Sequence, residues 1–109
     1  MKSELRPNER IVKEGPANLQ KNIETVGGKL RVTDQRLIFE AHKFNYQGGA
    51  TEVELSDIQS TRPCWTRFLG LIPLFPNSIA VFTKHDKEYR FVLSGRHAWI
   101  AAIGVQGER

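Results

Sequence analysis

The sequence predicts a small, mainly β domain in which antiparallel strands form a barrel or bent sandwich closed by one C-terminal helix. Apolar and polar residues alternate, at the two-residue period of a half-buried strand, in successive segments up to Leu93. After Ser94 the period changes to the three- and four-residue spacing of a helix. Strands and helices do not alternate along the chain, which excludes the parallel-sheet nucleotide-binding folds.

The clearest element is a hairpin over residues 27–41. Two alternating strands flank a polar turn at residues 33–36, where Asp34 is a residue that bends the chain by bonding its own backbone. The glycine pair before Lys29 allows a sharp entry to the first strand. One face is fully apolar and the other is mixed. We expect the apolar face to lie in the core, with side chains from Leu30, Val32, Leu37 and Phe39.

The segments around this hairpin predict further strands. Residues 9–14 begin a strand, Gly15-Pro16 marks a bend or bulge in it, and residues 20–26 form a polar connection. After the hairpin come three strands: 51–58 with Val53 and Leu55 inward, 79–83, and 88–93 with Tyr89, Phe91 and Leu93 on one face. Residues 62–65 are expected to be irregular, and residues 84–87 to form a hairpin connection.

The end of the chain predicts a short helix that needs packing to be stable. Ser94 is a candidate N-cap because its hydroxyl can accept an amide of the first turn. Trp99, Ile100 and Ile103 fall on one side of the helix, and Gly104 and Gly107 end it. We expect Trp99 to plug one end of the barrel.

The segment 68–76 combines a dense apolar content with prolines. Pro73 has no amide hydrogen, so we expect an exposed edge strand here, the fifth in a barrel, rather than a central one. Arginines flank its apolar residues, and an apolar centre with arginines at its margin is a common interface composition. This predicts a protein interface made of Trp65, Phe68, Leu71, Arg62 and Arg67. The alternative is that these residues simply close the barrel.

Composition indicates one soluble domain over residues 1–109, with a core at about 9–104. The chain has 39% hydrophobic and 26% charged residues, and its net charge of +4 favours acidic partners, although solubility alone also selects such a charge. The single Cys64 excludes an internal disulfide and fits a reducing compartment, so we expect a cytoplasmic protein. The three histidines are too widely spaced to suggest a metal site.

No pattern predicts catalysis. Cys64 is best explained as a small apolar filler, since no basic loop that could cradle a phosphate follows it. No glycine-rich phosphate loop precedes a helix either. We therefore expect neither catalytic residues nor a cofactor, and no enzyme.

Several motifs resemble the signature of GRAM domains, which share the pleckstrin-homology (PH-like) fold. They are the segment from Gly28 to Phe39, Leu55-x-Asp57-Ile58, residues 76–81, and Tyr89-x-Phe91 followed by a helix that bears Trp99. The likeness covers residues 9–103, and the compact form is similar to bacterial members. The resemblance implies a PH-like barrel of about seven antiparallel strands closed by one C-terminal α-helix.

A PH-like fold also implies that three inter-strand loops, within 20–28, 42–50 and 84–87, meet at an open end. Lysines around such a rim can hold phosphate groups, and Lys29-x-Arg31 looks like the pair that phosphoinositide-binding PH domains carry. This implies an anion-binding rim of Lys21, Lys29, Arg31, Lys43, Lys84 and Lys87, although Lys29 and Arg31 also fit an ordinary solvent face.

Nucleic acid is the third class of partner, since Phe44 and Tyr46 lie near Lys43. The terminal helix argues against an oligonucleotide-binding barrel. We therefore expect a non-catalytic binding module for a protein partner or for a second copy of itself. The alternative is a peripheral membrane module that binds anionic lipid or phosphoinositide head groups.

Overall fold

The computed structural model describes the backbone of residues 5–21, 24–41, 50–68 and 72–107, and the side chains of 5–20, 25–41, 50–64 and 78–104. This part of the chain forms seven strands, one 3₁₀ turn (Leu55–Asp57) and one helix. The strands are β1 (Ile11–Lys21), β2 (Glu24–Thr33), β3 (Arg36–Ala41), β4 (Ala50–Glu54), β5 (Ile58–Phe68), β6 (Ile72–Thr83) and β7 (Glu88–Val92), and the helix is α1 (Arg96–Gly107).

The strands form one antiparallel sheet in the order β4-β3-β2-β1-β7-β6-β5. β1 joins its two halves: it pairs with β2 along nearly its whole length but with β7 only over Asn18–Gln20. The two edge strands, β4 and β5, are consecutive in sequence and are linked by the 3₁₀ turn. The sheet must therefore curl back on itself, which agrees with the predicted barrel-like fold.

The core lies between the two halves of the sheet. Phe39 on β3 and Phe91 on β7 meet across it, with ring centroids 5.8 Å apart and planes tilted by 46°. This tilted arrangement is one that aromatic pairs favour. Trp99 and Ile103 of α1 complete the core, at 4% and 2% exposure. The expected plug is confirmed for Trp99.

The hairpin prediction is confirmed on its inner face and is incomplete on its outer face. Leu30, Val32, Leu37 and Phe39 are all at most 2% exposed, and the turn lies between Thr33 and Arg36 as predicted. The mixed outer face is buried too, since Ile38 is 0% exposed. Gly28 does not provide a sharp entry but a close approach, because a Cβ there would lie 2.2 Å from the carbonyl oxygen of Glu40.

The predicted bend at Gly15-Pro16 is wrong, and so is the polar connection over 20–26. β1 runs straight through both residues, in register with Leu30 and Lys29. Pro16 is tolerated because β7 does not reach it, so that side of the strand needs no amide. The register shift lies instead between Ile11 and Lys13. Residues 20 and 21 and residues 24–26 belong to β1 and β2.

The strand boundaries predicted for 62–76 are also wrong. Residues 62–65 lie within β5, and residues 72–76 begin β6 rather than forming a fifth strand of their own. β5 and β6 form a two-stranded ribbon at this end, with register shifts on both sides of Thr66. Pro73 is accommodated because β7 pairs with β6 only from Ser78 onward. The predicted edge character applies to β5, which has β6 alone as its neighbour in the sheet order.

The helix begins two residues after the predicted cap. Gly95, at a φ of +66°, precedes it, and the carbonyl oxygen of Gly95 accepts the amides of Ala98 and Trp99. Gly95 therefore takes the place at the start of the helix that we predicted for Ser94. The helix continues through Gly104 and ends at Gly107. Among the described residues, no helix is long and apolar enough to cross a membrane.

Candidate functional site

A network of ion pairs covers the outer face of β2 and β3. Arg31 donates to Glu14 on β1 (Nε to Oε1, 3.0 Å) and to Glu40 on β3 (2.5 Å). Arg36 donates to Glu9 through both Nε (2.8 Å) and a terminal nitrogen (3.0 Å), and to Glu52 on β4 (2.7 Å). Arg6 pairs with Glu54.

Ile38 lies at the centre of this network. Arg31 and Glu52 are its cross-strand neighbours, and Arg36 and Glu40 flank it on its own strand. Long charged side chains can cover apolar surface with their aliphatic stems while their charged ends pair with each other. The network therefore explains how an isoleucine on the outer face is fully buried.

Glu9 anchors the network to the segment that precedes β1. Its side chain is 0% exposed and accepts hydrogen bonds from Arg36, from the Thr33 hydroxyl (2.6 Å) and from the backbone amide of Arg6 (2.7 Å). Burial opposes the charged form, but the bonds from Arg36, Thr33 and Arg6 outweigh it and lower the pKa of Glu9 from 4.5 to about 2. Glu9 is therefore a structural carboxylate.

Arg31 does not belong to an exposed rim. It is 3% exposed, and two carboxylates neutralise it, so its guanidinium is closed to an external anion. The alternation of Arg31 with Leu30 and Val32 correctly predicted that Arg31 lies on the outer face of the sheet. Arg31 is buried there because the side chains of Glu14 and Glu40, from the two neighbouring strands, pair with it.

The other rim residues are only partly described. Lys84 and Lys87 are exposed in the β6–β7 turn, and Lys29 is half-buried on β2. The side chains of Lys21 and Lys43 lie outside the described residues. The strand ends do share one side of the molecule: Gly28 pairs with Ala41, and Gln20 at the end of β1 pairs with Arg90 near the start of β7.

Thr83 holds the β6–β7 turn in shape. Its backbone amide bonds to the carbonyl oxygen of Lys87 (2.9 Å), and its hydroxyl oxygen accepts the amides of His85 and Lys87. Asp86 takes the left-handed conformation, at a φ of +65°, that Asp tolerates better than most residues. The turn therefore presents Lys84 and Lys87 on a defined backbone.

A groove of about 240 Å³ runs between the start of β5 and α1. Apolar side chains from both elements line it, together with the polar residues of the strand: Leu55, Ile58, Gln59, Ser60, Thr61, Ile100, Ile103 and Gly104. Ile103 is buried, whereas Ile58 and Ile100 are half-buried. The groove therefore has an apolar floor and lies beside an edge strand of the sheet.

Two arginines lie on the same elements as the groove but outside the residues that line it. Arg96 precedes Ile100 by one turn of α1, and one of its terminal nitrogens donates to the carbonyl oxygen of Cys64 on β5 (2.9 Å). Arg62, also on β5, is exposed. The side chains of Trp65, Arg67, Phe68 and Leu71, which complete the predicted interface, lie outside the described residues.

The groove itself was not predicted from the sequence. Its strand wall falls where the sequence was interpreted as the end of one strand and an irregular segment. The available signal was on the helix, since Ile100 and Gly104 are four residues apart and share a face. A glycine at that position leaves space beside the apolar stripe, because a Cβ on Gly104 would meet no atom within 4 Å.

No metal centre can be assembled from the described residues, because no three His, Cys, Asp or Glu side chains lie close together. Cys64 is half-buried on β5. His85 stands 3.9 Å from Asp57 in an exposed pair, and His97 is exposed on α1.

Solved structures identify the fold as PH-like. The chain is similar to the C-terminal domain of an unknown protein from Leishmania infantum, with a TM-score of 0.76, 15% identity, and coverage of 94% of this chain and 88% of that one. It is similar to the Vps36 N-terminal PH domain, with a TM-score of 0.65, 17% identity, and coverage of 94% and 84%. It is also similar to an N-terminally truncated linker-DH/PH fragment of p115-RhoGEF, with a TM-score of 0.71 and 16% identity. That match covers 94% of this chain but only 30% of the fragment.

No protein family and no curated protein matches the sequence. At these low identities, the structural neighbours establish the fold alone. The GRAM-like motif is consistent with that fold, and its residues have structural roles here. Gly28 allows two strands to approach closely, and Thr33 and Arg36 hold the buried Glu9.

Proposed function

We propose that this PH-like domain, of GRAM type, is a non-catalytic module that binds another protein at the edge formed by β5 and α1. The observation that carries the proposal is the groove between these two elements, beside a strand with a neighbour on one side only. An edge strand offers backbone donors and acceptors to an incoming chain, and the apolar floor offers a place for a side chain.

The size of the groove favours a protein partner over a small molecule. Sites for drug-sized ligands enclose about 300–1,000 Å³ and bury most of the ligand. The groove measures about 240 Å³ and is partly open to solvent. It therefore suits one side chain from a larger partner. The backbone of the predicted interface from Arg62 to Phe68 continues along β5 from the strand wall of the groove, so the two surfaces would act as one.

The test is a selection of displayed random peptides on the folded chain, followed by binding to two matched helix variants. Gly104→Leu places a side chain in the groove, where a Cβ meets no atom. Ala101→Leu adds a similar side chain on the same helix, at an exposed position outside the groove. We expect selected peptides to lose at least about tenfold in affinity for Gly104→Leu, as for loss of an interface anchor, and to keep it for Ala101→Leu.

Gly104→Leu should unfold at or above the melting temperature of the wild type, and Ala101→Leu close to it, since leucine is nearly as good a helix former as alanine. Replacing a glycine inside a helix removes a cost of about 1 kcal/mol. Failure to select any peptide on the folded chain would refute the protein-binding proposal. Peptides that bind both variants equally well would refute the groove as the site.

A second candidate is a peripheral membrane module that uses the lysine rim. The observation that favours it is the exposed pair Lys84 and Lys87 on a turn held by Thr83. Lysines near an anionic bilayer contribute on the order of 1 kcal/mol each. In this proposal Lys21, Lys29 and Lys43 act with them, and Arg31 does not.

Vesicle co-sedimentation tests this second candidate. The double variant Lys84→Gln/Lys87→Gln should bind phosphatidylserine-containing vesicles about thirtyfold more weakly, since two contributions of about 1 kcal/mol each are lost. Arg10→Gln serves as control, because Arg10 is exposed beside Asp34 at the β2–β3 turn. A wild-type chain that binds neutral and anionic vesicles equally at low salt would exclude the membrane function.

A further inference from the structure

We propose that the outer face of β5, β6 and β7 binds single-stranded nucleic acid. An aromatic side chain on this face stacks against a base, and two arginines contact the phosphates. The proposal goes beyond the protein-binding function and uses side chains that do not line the groove. We call this surface the outer β5–β7 face, and it consists of Arg62, Ala80, Phe82, Glu88, Arg90 and Val92.

The aromatic side chain is Phe82 on β6, the central strand of the three. Ile79 and Val81 of this strand are 0% exposed and belong to the core. Ala80 and Phe82 alternate with them and therefore point to the outer face. Phe82 is half-buried, and it does not pack against the core cluster. Its ring is therefore an aromatic group on which a base can stack from outside.

Two arginines lie on either side of Ala80. Arg62 on β5 and Arg90 on β7 are its cross-strand neighbours, so their backbones are two strand spacings, roughly 10 Å, apart. Ala80 is only 2% exposed, because the longer side chains beside it cover it. Each arginine lies diagonally across from Phe82, a separation that long side chains can span. One nucleotide can therefore contact the ring through its base and an arginine through its phosphate.

The positive charge of this face is not neutralised as it is on the outer face of β2 and β3. There, Arg31 and Arg36 each pair with two glutamates. Among the described residues Arg62 makes no ion pair, and Arg90 pairs with Glu88 through Nε alone (2.6 Å). The terminal nitrogens of Arg90 carry four further N–H donors. A phosphate group, which is charged and has several acceptor oxygens, would supply the missing partner for both arginines.

The combination of a ring with arginines favours a single strand over other acidic ligands. Bases in a duplex already stack on each other, whereas proteins that bind single strands stack the bases on aromatic side chains in a basic surface. An acidic peptide or an anionic bilayer would be held by the arginines alone. The C-terminal helix does not obstruct this face, because it packs on the core through Trp99 and Ile103, on the other side of the sheet.

The experiment measures the anisotropy of fluorescein-labelled oligouridine and oligothymidine, and of a duplex of the same length, over a range of salt concentrations. The wild-type chain is compared with Phe82→Leu, Arg62→Gln and Arg90→Gln. Arg10→Gln is the matched control, because Arg10 is exposed at the β2–β3 turn and its replacement removes the same charge away from the face. Urea unfolding establishes that each variant is folded.

We expect Phe82→Leu to weaken single-strand binding by at least about fivefold, because leucine keeps an apolar side chain but removes the stacking ring. The same change should leave duplex binding as it is in the wild type. Arg62→Gln and Arg90→Gln should each reduce the slope of log K against log salt by about 0.7, as for one lost phosphate contact on a single strand. Arg10→Gln should leave this slope unchanged.

Three outcomes would overturn the inference. The first is that the wild type does not bind single strands at low salt. The second is that Arg10→Gln and Arg62→Gln weaken binding equally while Phe82→Leu has no effect, which would reduce binding to net charge. The third is single-strand binding that depends on the arginines but not on Phe82 and is matched by phosphoserine peptides or anionic vesicles, which would make the face a phosphate site.

The groove variant separates this inference from the proposed protein-binding function. Gly104→Leu should leave single-strand binding unchanged, and peptides selected on the groove should bind Phe82→Leu as they bind the wild type. Loss of single-strand binding with Gly104→Leu would move the nucleic-acid site to the groove and refute the outer β5–β7 face. Failure to select any peptide would refute the groove and leave the nucleic-acid result unaffected.

Discussion

Glu9→Gln should be one of the most damaging single-atom changes in the molecule. Each oxygen of the Glu9 carboxylate accepts two hydrogen bonds: Oε1 from the amide of Arg6 and a terminal nitrogen of Arg36, Oε2 from Arg36 Nε and the Thr33 hydroxyl. The Thr33 oxygen accepts the amides of Gln35 and Arg36, and its single proton goes to the Glu9 carboxylate at 2.6 Å rather than to the Arg36 carbonyl oxygen at 3.1 Å, because the nearer acceptor is charged. All four groups around the carboxylate are therefore donors.

A glutamine cannot satisfy this arrangement in either orientation. Its amide nitrogen would replace one oxygen and face two donors, and Arg36, at 5% exposure, would lose its fully buried counter-ion and keep only the more exposed Glu52. Breaking one partner of a buried ion pair costs about 3–5 kcal/mol. Small domains are stable by only about 5–15 kcal/mol, so the variant should be close to marginal stability. The expected fall in melting temperature is on the order of 10–20 °C.

The measurement is urea unfolding followed by tryptophan fluorescence, with Glu54→Gln as the matched control. Glu54 makes its ion pair with Arg6 on the same face, but its side chain is 41% exposed, and exposed pairs contribute about 0–1 kcal/mol. A loss below about 1 kcal/mol for Glu9→Gln, equal to that of Glu54→Gln, would contradict the buried network as described.

The acid limb of the stability curve gives an independent check. Because the pKa of Glu9 is lowered from 4.5 to about 2 on folding, its contribution is fully present above pH 4.5 and is lost as the pH falls toward 2. The free energy of unfolding of the wild type should fall across this window. The Glu9→Gln variant should show a shallower fall, since only the other carboxylates remain, Glu54 with its own lowered pKa among them. Parallel curves for the two proteins would contradict the assignment.

Three further predictions concern the core. Phe39→Ala should cost about 3–5 kcal/mol in urea unfolding, because it removes a ring that is 2% exposed and packs on Phe91; an unchanged midpoint would contradict the core assignment. Gly28→Ala should lower the free energy of unfolding by at least about 3 kcal/mol, because the new Cβ would lie 2.2 Å from the carbonyl oxygen of Glu40. Gly15→Ala should be tolerated, since its Cβ would lie 3.4 Å from Trp99. Equal losses of stability in the two variants would refute this contrast. In a Trp65→Phe background, the fluorescence of Trp99 should be blue-shifted and poorly quenched by iodide, since Trp99 is 4% exposed; free quenching would refute the plug.

The local alternation of the sequence was sufficient to predict the inner face of the sheet. Leu30, Val32, Leu37 and Phe39 lie where a two-residue period puts them, and Trp99 lies where the helical period puts it. The PH-like fold followed from the order of these elements and from the resemblance. Alternation could not predict the burial of Ile38, because that depends on arginines and glutamates that come from four different strands and from the segment before β1.

The proline-rich region shows a second limit of sequence reasoning. A proline excludes a residue from the position between two paired strands, but it does not say how far each neighbour extends. Here β7 pairs with β6 only from Ser78, so Pro73 lies in a ribbon where a missing amide has no consequence. The groove was missed at a different boundary, because its strand wall belongs to the start of β5, where the sequence was interpreted as an irregular segment.

The charges of the chain are unevenly distributed between the ion-pair network and the rest of the molecule, and this bears on both proposed functions. The ion-pair network on the outer face contains three arginines (Arg6, Arg31 and Arg36) and five glutamates (Glu9, Glu14, Glu40, Glu52 and Glu54), which gives −2. Since the whole chain has +4, from 16 basic and 12 acidic residues, the rest of it has 13 basic and 7 acidic residues, or +6.

That excess lies on residues outside the network. Arg62 and Arg96 lie on β5 and α1, outside the residues that line the groove, and Lys84 and Lys87 lie on the β6–β7 turn. An acidic partner would therefore be attracted to these surfaces and repelled by the outer face of β2 and β3.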